Sequence, residues 1–441
     1  MTALSLLGKR PTDTRQKRTP IAAIRGKVKL DFRAIRSVFA NASFRHYVYG
    51  NGTSQFGIWV QRVAVAWLTW ELTESPFWLG LMAFADFAPA IVCAPLAGAI
   101  ADRINRLRGI KITQILSGLQ CVALVLLTGI GAITVEILLA LTFVLGVVMA
   151  FNQPLRLAVI PSLVGAKDMS AAVSINSLTF NIARITGPAI AGITILRFGI
   201  APCFAICALS YFIFAFALLF VRVHDQMPRG QRKTFRDLPL EIMAGLHYCR
   251  SHAGIGPVMV LMAFVAIAGR SYTELLPGFA AEVFERGADG FAMLTGAMGM
   301  GAIVGGMTLA TRTSVTGLTN YIVLKFLILG LAMVGFSLAP KFWVALILVG
   351  VSGFAQVVVG IGEQTLVQNA ADPSMRGRVL SLYGMIGRAG PAIGALIMGA
   401  LAEVFGLRWP VMGGAVIMLL FLFWLMPRRK MMAASLEGEA S

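Results

Sequence analysis

The stretch Arg184-Ile-Thr-Gly187-Pro-Ala-Ile190 has a counterpart later in the chain, Arg388-Ala-Gly390-Pro-Ala-Ile393. Both copies of Gly-Pro-Ala-Ile lie inside long apolar segments, and nearly half of the 441 residues separate them. A recurrence at this distance indicates two copies of one ancestral unit. The two arginines stand at different distances from the repeated glycine, so they would point about 100° apart around their helices. Arg184 and Arg388 are therefore treated as separate residues.

The composition around this repeat is typical of a membrane protein. Hydrophobic residues make up 57% of the chain and charged residues 13%, whereas a soluble domain has about 25% charged residues. Twelve apolar segments are long enough to cross a bilayer as helices: 47–71, 76–101, 109–131, 134–153, 170–196, 199–221, 255–279, 289–311, 318–338, 342–363, 378–403 and 408–427. We therefore predict an all-α integral membrane protein with twelve transmembrane helices in two six-helix pseudo-symmetric bundles.

The basic residues orient these helices. Most of the 38 Lys and Arg fall on the side of the two termini, including Arg156 just after the fourth helix. The opposite side holds only Arg197, Arg286, Lys341 and Arg408. Because cytoplasmic loops are rich in Lys and Arg, we expect a multi-pass protein of the cytoplasmic (inner) membrane with both termini in the cytoplasm. The same asymmetry accounts for the net charge of +18, so we expect no nucleic-acid partner.

A polar break at residues 222–254 divides the chain into halves. The expected organisation is a cytoplasmic N-terminal tail 1–45, a bundle 46–221, a cytoplasmic linker 222–254, a bundle 255–427 and a cytoplasmic C-terminal tail 428–441. Apolar residues at three-residue steps in Leu238–His252 predict a short helix on the membrane surface, with an irregular linker as the alternative. Duplicated six-helix halves are typical of one class of secondary transporter, whose site lies between the halves near mid-membrane.

A charged motif follows the second predicted helix. The run Gly98-Ala-Ile-Ala-Asp102-Arg103-Ile-Asn105-Arg106 resembles the signature Gly-x-x-x-Asp-Arg-x-Gly-Arg of the major facilitator superfamily. Asn105 stands where glycine is usual, and Asn is one of the few residues that also adopt the left-handed conformation. The resemblance implies that Gly98, Asp102, Arg103 and Arg106 form a conformational gate at the cytoplasmic surface. A simple helix cap with positive charge is the alternative.

Other stretches resemble one branch of that superfamily, the third drug–proton antiporter family, which includes the enterobactin exporter and macrolide efflux proteins. They are Trp59-Val-Gln61-Arg62 with Trp67, Leu72-Thr73-Glu74-Ser75-Pro76, Phe151-Asn-Gln-Pro154-Leu-Arg156 with Pro161, Leu275-Leu276-Pro277 and Arg376-Gly377-Arg378-Val379. The resemblance runs from about residue 44 to 425. Many members carry an Asp just before the first-helix Trp, where this chain has Ile58. A coupling role for that acid therefore does not transfer.

Charged and polar residues within the predicted spans are the candidate site. A charge at the bilayer centre costs about 2.5–3.5 kcal/mol, so such residues usually face a cavity or a partner. The proton-coupling candidates are Asp86, Glu274 and Glu363. The substrate-cavity candidates are Asn51, Gln55, Trp59, Arg62, Asn181, Arg184, Arg270 and Arg388.

Each candidate group also has a simpler interpretation. The polar stripes on the first and fifth helices could serve packing through interhelical hydrogen bonds. Arg270 and Glu274 are one helical turn apart and are expected to form a structural ion pair. Glu363, near the cytoplasmic end of its helix, could be an ordinary boundary residue. Asp86, about ten residues into the second helix, is the preferred proton site, with Arg62 or Arg184 as its partner.

These patterns predict a secondary active transporter that works by alternating access. The resemblance implies proton-coupled efflux of a small amphipathic or anionic molecule, siderophore- or drug-like. Arginines outnumber acids within the spans, which favours an anionic cargo. The alternatives are an importer or lysophospholipid flippase on the same fold, and a non-transporting membrane sensor or receptor. The chain lacks a nucleophile–His–acid set and a nucleotide-binding loop, so we do not expect an enzyme. The expected partners are a small-molecule substrate, protons and the lipid bilayer. We expect no cofactor or metal, and a monomer.

Overall fold

The protein is helical throughout the residues that the computed structural model describes, which are 32–101, 104–165, 168–223, 238–312 and 314–437. The first half contains α1 (Phe32–Ala40), α2 (Ala42–Thr73), α3 (Pro76–Ala101), α4 (Arg106–Gly129), α5 (Val135–Leu163), α6 (Met169–Phe198) and α7 (Ala201–Ala217), and α8 (Leu238–Ser251) lies in the linker between the halves. The second half begins with an interrupted helix, Ile255–Val283, in which α9 (Ile255–Phe264) and α10 (Leu276–Gly278) are joined by π and 3-10 turns. It continues with α11 (Ala288–Ala310), α12 (Leu318–Leu338), α13 (Phe342–Ala370), α14 (Arg376–Phe405), α15 (Arg408–Leu425) and α16 (Arg429–Glu437).

Ten of the described helical segments are long and apolar enough to cross a membrane. Each of the other two predicted spans also corresponds to a helix. α2 has 32 residues but carries many polar side chains, and α7 is apolar but only 17 residues long. Large apolar side chains such as Val92 and Phe423, which are 74% and 80% exposed, suit contact with lipid chains rather than water. The predicted all-α membrane class is confirmed.

Two helices extend beyond their apolar segments, and this corrects two expectations. α5 continues through Pro154 and Pro161 to Leu163, so Arg156 lies within a helix and is buried rather than in a loop. α13 continues to Ala370, so Glu363 is completely buried rather than at a membrane boundary. Hydropathy falls at these positions because the helices carry polar side chains inward, which a running average does not distinguish from a helix end.

The two Gly-Pro-Ala-Ile copies occupy equivalent positions in the halves. In the first half α6 packs against α2, and in the second α14 packs against the interrupted helix. A Cβ on Gly187 would collide with Trp59, and a Cβ on Gly390 would collide with Ala266. The glycine of each repeat thus allows the fifth helix of its half to pack closely against the first helix of the same half.

The most extensive contacts between the halves are those of two helix pairs, α3 with α14 and α6 with α11. In each pair the second helix of one half meets the fifth helix of the other. The two pairs are therefore equivalent, as a parallel duplication requires. Glycines permit the close approach: a side chain at Gly80 would collide with the carbonyl of Ala395, and one at Gly192 with Ala292.

Of the two alternatives left open for the linker, the structure has the helix, α8, over Leu238–Ser251. The Tyr248 hydroxyl lies 3.1 Å from a carboxylate oxygen of Asp372, just before α14, and Gly245 packs against Leu382. α8 therefore rests on the beginning of α14. Residues 224–237 of the linker lie outside the described residues.

Helices also flank the two bundles in the segments expected to be tails. α1 packs against α2 and α6, and the side chain of Val38 is buried. α16 packs against α12 and α13, and buries Met432 and Leu436. Both ends of the described chain are therefore docked on the bundles.

Asn105 has a different role from the one its type suggested. Its φ is −62°, and its side chain accepts a hydrogen bond of 3.0 Å from the backbone N–H of Arg108. Asn105 is thus the N-cap of α4, a position at which Asn is among the preferred residues. The left-handed conformation is not used.

Candidate functional site

A cavity of about 810 Å³ lies between the two halves. Its walls come from α2, α6, α11, α13, α14 and the interrupted helix, with one residue each from α3 and α5. All of the predicted cavity residues except Asn51 line it: Gln55, Trp59, Arg62, Asn181, Arg184, Arg270 and Arg388. The predicted proton-coupling residue Glu274 also lines it. The structure therefore brings residues from distant parts of the chain to one space.

The cavity faces the side on which α2 begins. Ser177 near the start of α6 and Tyr383 near the start of α14 line it. On the opposite side the halves touch. There the Ser75 hydroxyl donates to the Glu403 carboxylate at 2.7 Å, and the Phe77 N–H donates to it at 3.2 Å.

Arg62 forms the charged centre of this cavity. Its Nη2 lies 3.3 Å from Asp86 Oδ2 on α3 and 4.0 Å from Glu274 Oε1 on the interrupted helix. The guanidinium carbon also lies 4.7 Å from the centre of the Phe87 ring. One cation is therefore shared by two carboxylates, one from each half.

The expected ion pair between Arg270 and Glu274 is wrong: both residues are described, and they form no salt bridge with each other. Residues 271–275 form a 3-10 helix. With three residues per turn, positions four apart lie about 120° apart around the axis. This geometry turns Glu274 toward Arg62 of the other half.

Asp86 lies in a side pocket of about 510 Å³ that shares Trp59, Arg62 and Glu274 with the main cavity. Met82 and Thr142 also line this pocket. The acid predicted to carry protons is thus next to Arg62, one of its two expected partners. Arg184, the other, is not paired with it among the described residues.

Three other arginines on the cavity wall have no acidic partner. Within the described ranges, Arg184, Arg270 and Arg388 make no salt bridge, whereas Arg62 makes two. The Nε atom of Arg184 is buried and has no hydrogen-bond acceptor. The wall therefore carries more positive than negative charge.

Glu363 lies outside the cavity. It is completely buried, and neither carboxylate oxygen has a hydrogen-bond partner among the described residues. Gly360 and Gln364 of the same helix line the cavity. Glu363 therefore lies one layer behind the cavity wall, separate from Arg62.

Asn51 belongs to a buried polar network around Arg156. Arg156 donates to Asn51 Oδ1 and to Ser54 Oγ, both at 2.8 Å, and Asn51 Nδ2 donates to Asn176 at 3.0 Å. The sequence pattern predicts a loop at Arg156, although it lies in the run Phe151–Arg156 that carried part of the resemblance. Arg156 is buried because α5 continues past its apolar segment.

The gating motif is only partly described. Gly98 lies in α3, and Asp102 and Arg103 lie outside the described residues. Arg106 donates to the carbonyl of Ala158 at 3.0 Å and to the Ser162 hydroxyl at 3.3 Å, both on α5. Arg106 therefore ties two helices of its own half together.

Helical halves that enclose a central charged cavity are typical of transporters of the major facilitator type. The model of one family, described as transmembrane secretion effector, matches residues 36–440. The chain belongs to this family, and the family assignment also shows that it is a transporter rather than an enzyme.

Several characterised proteins are similar in sequence over most of their length. A staphyloferrin A transporter of Staphylococcus aureus is 27% identical over 85% of this chain and 93% of its own. The multidrug efflux pump Tap of Mycolicibacterium fortuitum is 24% identical, with 81% and 88% covered. The enterobactin exporter EntS of Escherichia coli is also 24% identical, with 76% and 79% covered.

Solved structures support the fold alone. The nucleoside transporter NupG superposes with a TM-score of 0.65 at 13% identity, covering 90% of this chain and 99% of its own. A bacterial homolog of the human lysosomal transporter Spinster, in an inward-facing and occupied conformation, gives 0.65 at 15% identity, with 89% and 96% covered.

Proposed function

We propose that this protein exports a small amphipathic or anionic molecule across the cytoplasmic membrane in exchange for protons. Relatives named as an enterobactin exporter and a multidrug efflux pump support the direction and the type of cargo. The observation that carries proton coupling is the sharing of Arg62 between Asp86 and Glu274, because these two acids lie on different halves.

The arrangement suggests how a proton could move the halves. Two carboxylates facing one guanidinium leave one negative charge unmatched, and a proton can neutralise it. When Glu274 is protonated, Arg62 keeps its bond to Asp86 and loses its attraction to the other half. When the proton leaves, the attraction across the cavity returns. Glu363 on α13 is a second candidate proton site, separate from this group.

The proposed orientation makes the observed cavity accessible from the cytoplasm. With both termini cytoplasmic, as the distribution of Lys and Arg favours, the side on which α2 begins is the cytoplasmic side. Cargo would enter there, and Gly98, Asp102, Arg103 and Arg106 would form the gate beside the entrance. We propose that one monomer is the working unit, because the cavity is lined by a single chain.

Inside-out vesicles test coupling and direction together. We expect enterobactin, used as the probe because a similar protein is named as its exporter, to dissipate an imposed pH gradient in vesicles with the wild-type protein. Asp86→Asn should abolish this proton movement, because Arg62 then lacks one of its two acids. Asp289→Asn is the matched control, since Asp289 pairs with Arg286 outside the cavity. Proton movement that persists in Asp86→Asn would exclude Asp86 as the carrier.

Glu274→Gln and Glu363→Gln separate the remaining candidates in the same assay. Loss of coupling in Glu274→Gln, with coupling retained in Glu363→Gln, supports the group in which Asp86 and Glu274 share Arg62. Loss in Glu363→Gln with retention in Glu274→Gln assigns coupling to the buried acid of α13 instead. Movement of the probe in the opposite direction would identify an importer.

A further inference from the structure

The cavity wall holds a positive charge that the coupling residues do not neutralise. Asp86 and Glu274 are both within reach of Arg62. Arg184 on α6, Arg270 at the end of the π turn and Arg388 on α14 form no salt bridge in the described parts of the chain, and the one acid on which the charge of Arg270 acts, Glu363, lies behind the cavity wall. Arg184 belongs to the first half, whereas Arg270 and Arg388 belong to the second.

We propose that the cargo carries at least two anionic groups on an apolar body, and that it bridges Arg184 on one half to Arg270 and Arg388 on the other. This inference rests on the proposed export function and adds the chemical class of its substrate. Carboxylates suit the site because the planar guanidinium fork binds them through two parallel hydrogen bonds.

Electrostatics distinguishes such a cargo from a singly charged one. Like charges on opposite walls of a cavity with a low dielectric constant repel each other more strongly than they would in water. A monoanion carries one negative charge and leaves at least two of these three guanidinium charges unmatched. An anion with two or three carboxylates binds both walls at once, so its binding draws the halves together.

The remaining wall suits an apolar or aromatic body. Trp59, Phe87, Phe180 and Phe291 line the cavity together with Met262. The volume of about 810 Å³ lies within the range of about 300–1,000 Å³ that is usual for sites of drug-sized ligands. An aromatic polycarboxylate combines both features.

The test compares benzoate, isophthalate and trimesate, which carry one, two and three carboxylates on the same ring. Binding to the purified protein in nanodiscs is measured by calorimetry at constant ionic strength. We expect trimesate to bind at least about tenfold more tightly than benzoate, because each added carboxylate reaches another guanidinium. Equal binding of the three acids, or tighter binding of the cation tetraphenylphosphonium, would overturn the proposal.

Variants locate the site and control for folding. Arg184→Gln should remove most of the advantage of trimesate over benzoate, and Arg184→Lys should restore part of it. Arg197→Gln is the matched control, because Arg197 lies on the same helix but is exposed and outside the cavity. An unchanged advantage in Arg184→Gln would contradict the bridging role.

The binding series and the vesicle assay fail independently. If the carboxylate series behaves as expected but no pH gradient moves cargo, the anion site stands and proton-driven export is wrong. If export occurs but the series shows no dependence on charge, only this inference is wrong.

Discussion

Asn51 and Asn181 show that residues of one type in one predicted set have different roles. Asn51 is 2% exposed and accepts from Arg156, a buried cation with no acidic partner in the described ranges. Asn181 lines the cavity and donates only to the carbonyl of Ser177 on its own helix. The first therefore stabilises the bundle, and the second is free to contact cargo.

Substituting leucine at each position separates these roles. We expect Asn51→Leu to lower the free energy of unfolding by about 1–3 kcal/mol, because a buried charged donor loses its acceptor. Asn181→Leu should leave thermal stability nearly unchanged and weaken trimesate binding instead. Thermal unfolding of both variants in the same detergent checks the prediction, and equal melting temperatures would contradict it.

At the scale of the element, the C-terminal helix α16 is an integral part of the second half. Its Glu437 carboxylate accepts from the backbone N–H groups of Gly317 at 2.5 Å and Thr319 at 2.7 Å. These groups lie at the beginning of α12, where unpaired N–H groups and the helix dipole favour a negative charge. α16 therefore caps α12.

Adjacent methionines on α16 test this docking. Met432 is completely buried, whereas Met431 is 52% exposed. Met432→Ala should lower the free energy of unfolding by about 2–5 kcal/mol, the usual range for a buried Met, and Met431→Ala should change it little. Denaturant unfolding monitored by tryptophan fluorescence measures both. Similar losses in the two variants would show that α16 is not docked.

For the whole molecule, the contacts between halves define which side is closed. α3 and α14 meet through Gly80 and the carbonyl of Ala395, near the bond between Ser75 and Glu403. Under alternating access, these contacts must separate for cargo to leave. A side chain that prevents the close approach should therefore favour the opposite conformation.

Gly80→Leu is the corresponding variant. We expect it to separate the halves at the closed side and bring them together at the cavity entrance. Spin labels at Ser170→Cys on α6 and Ser381→Cys on α14 would report this as a shorter distance. Gly413→Leu is the control, because nothing lies within 4 Å of a Cβ at that glycine on α15. The same distance in both variants would mean that Gly80 does not control the equilibrium.

Most of the helices could be predicted from the sequence because length, hydropathy and cap residues are local properties. α3 and α12 begin and end where their apolar segments do. α5 and α13 could not be bounded in this way, because Arg156 and Glu363 lie inside helices that continue past their apolar segments. The residues of the candidate site could be predicted because they are charged or polar and lie within predicted spans. A charged side chain in the bilayer costs free energy, so its presence indicates a cavity or a partner.

The sequence by itself determined the membrane class, the duplicated halves, the family resemblance and the charged residues that line the cavity. Only the tertiary structure decided their partners: Glu274 pairs with Arg62 rather than Arg270, Asn51 supports Arg156, and Arg184, Arg270 and Arg388 face the cavity without acids among the described residues. The physical reason is that a partner depends on the rotation of each helix and on the helices it meets. A 3-10 turn at residues 271–275 was enough to redirect one carboxylate from its own helix to the other half of the molecule.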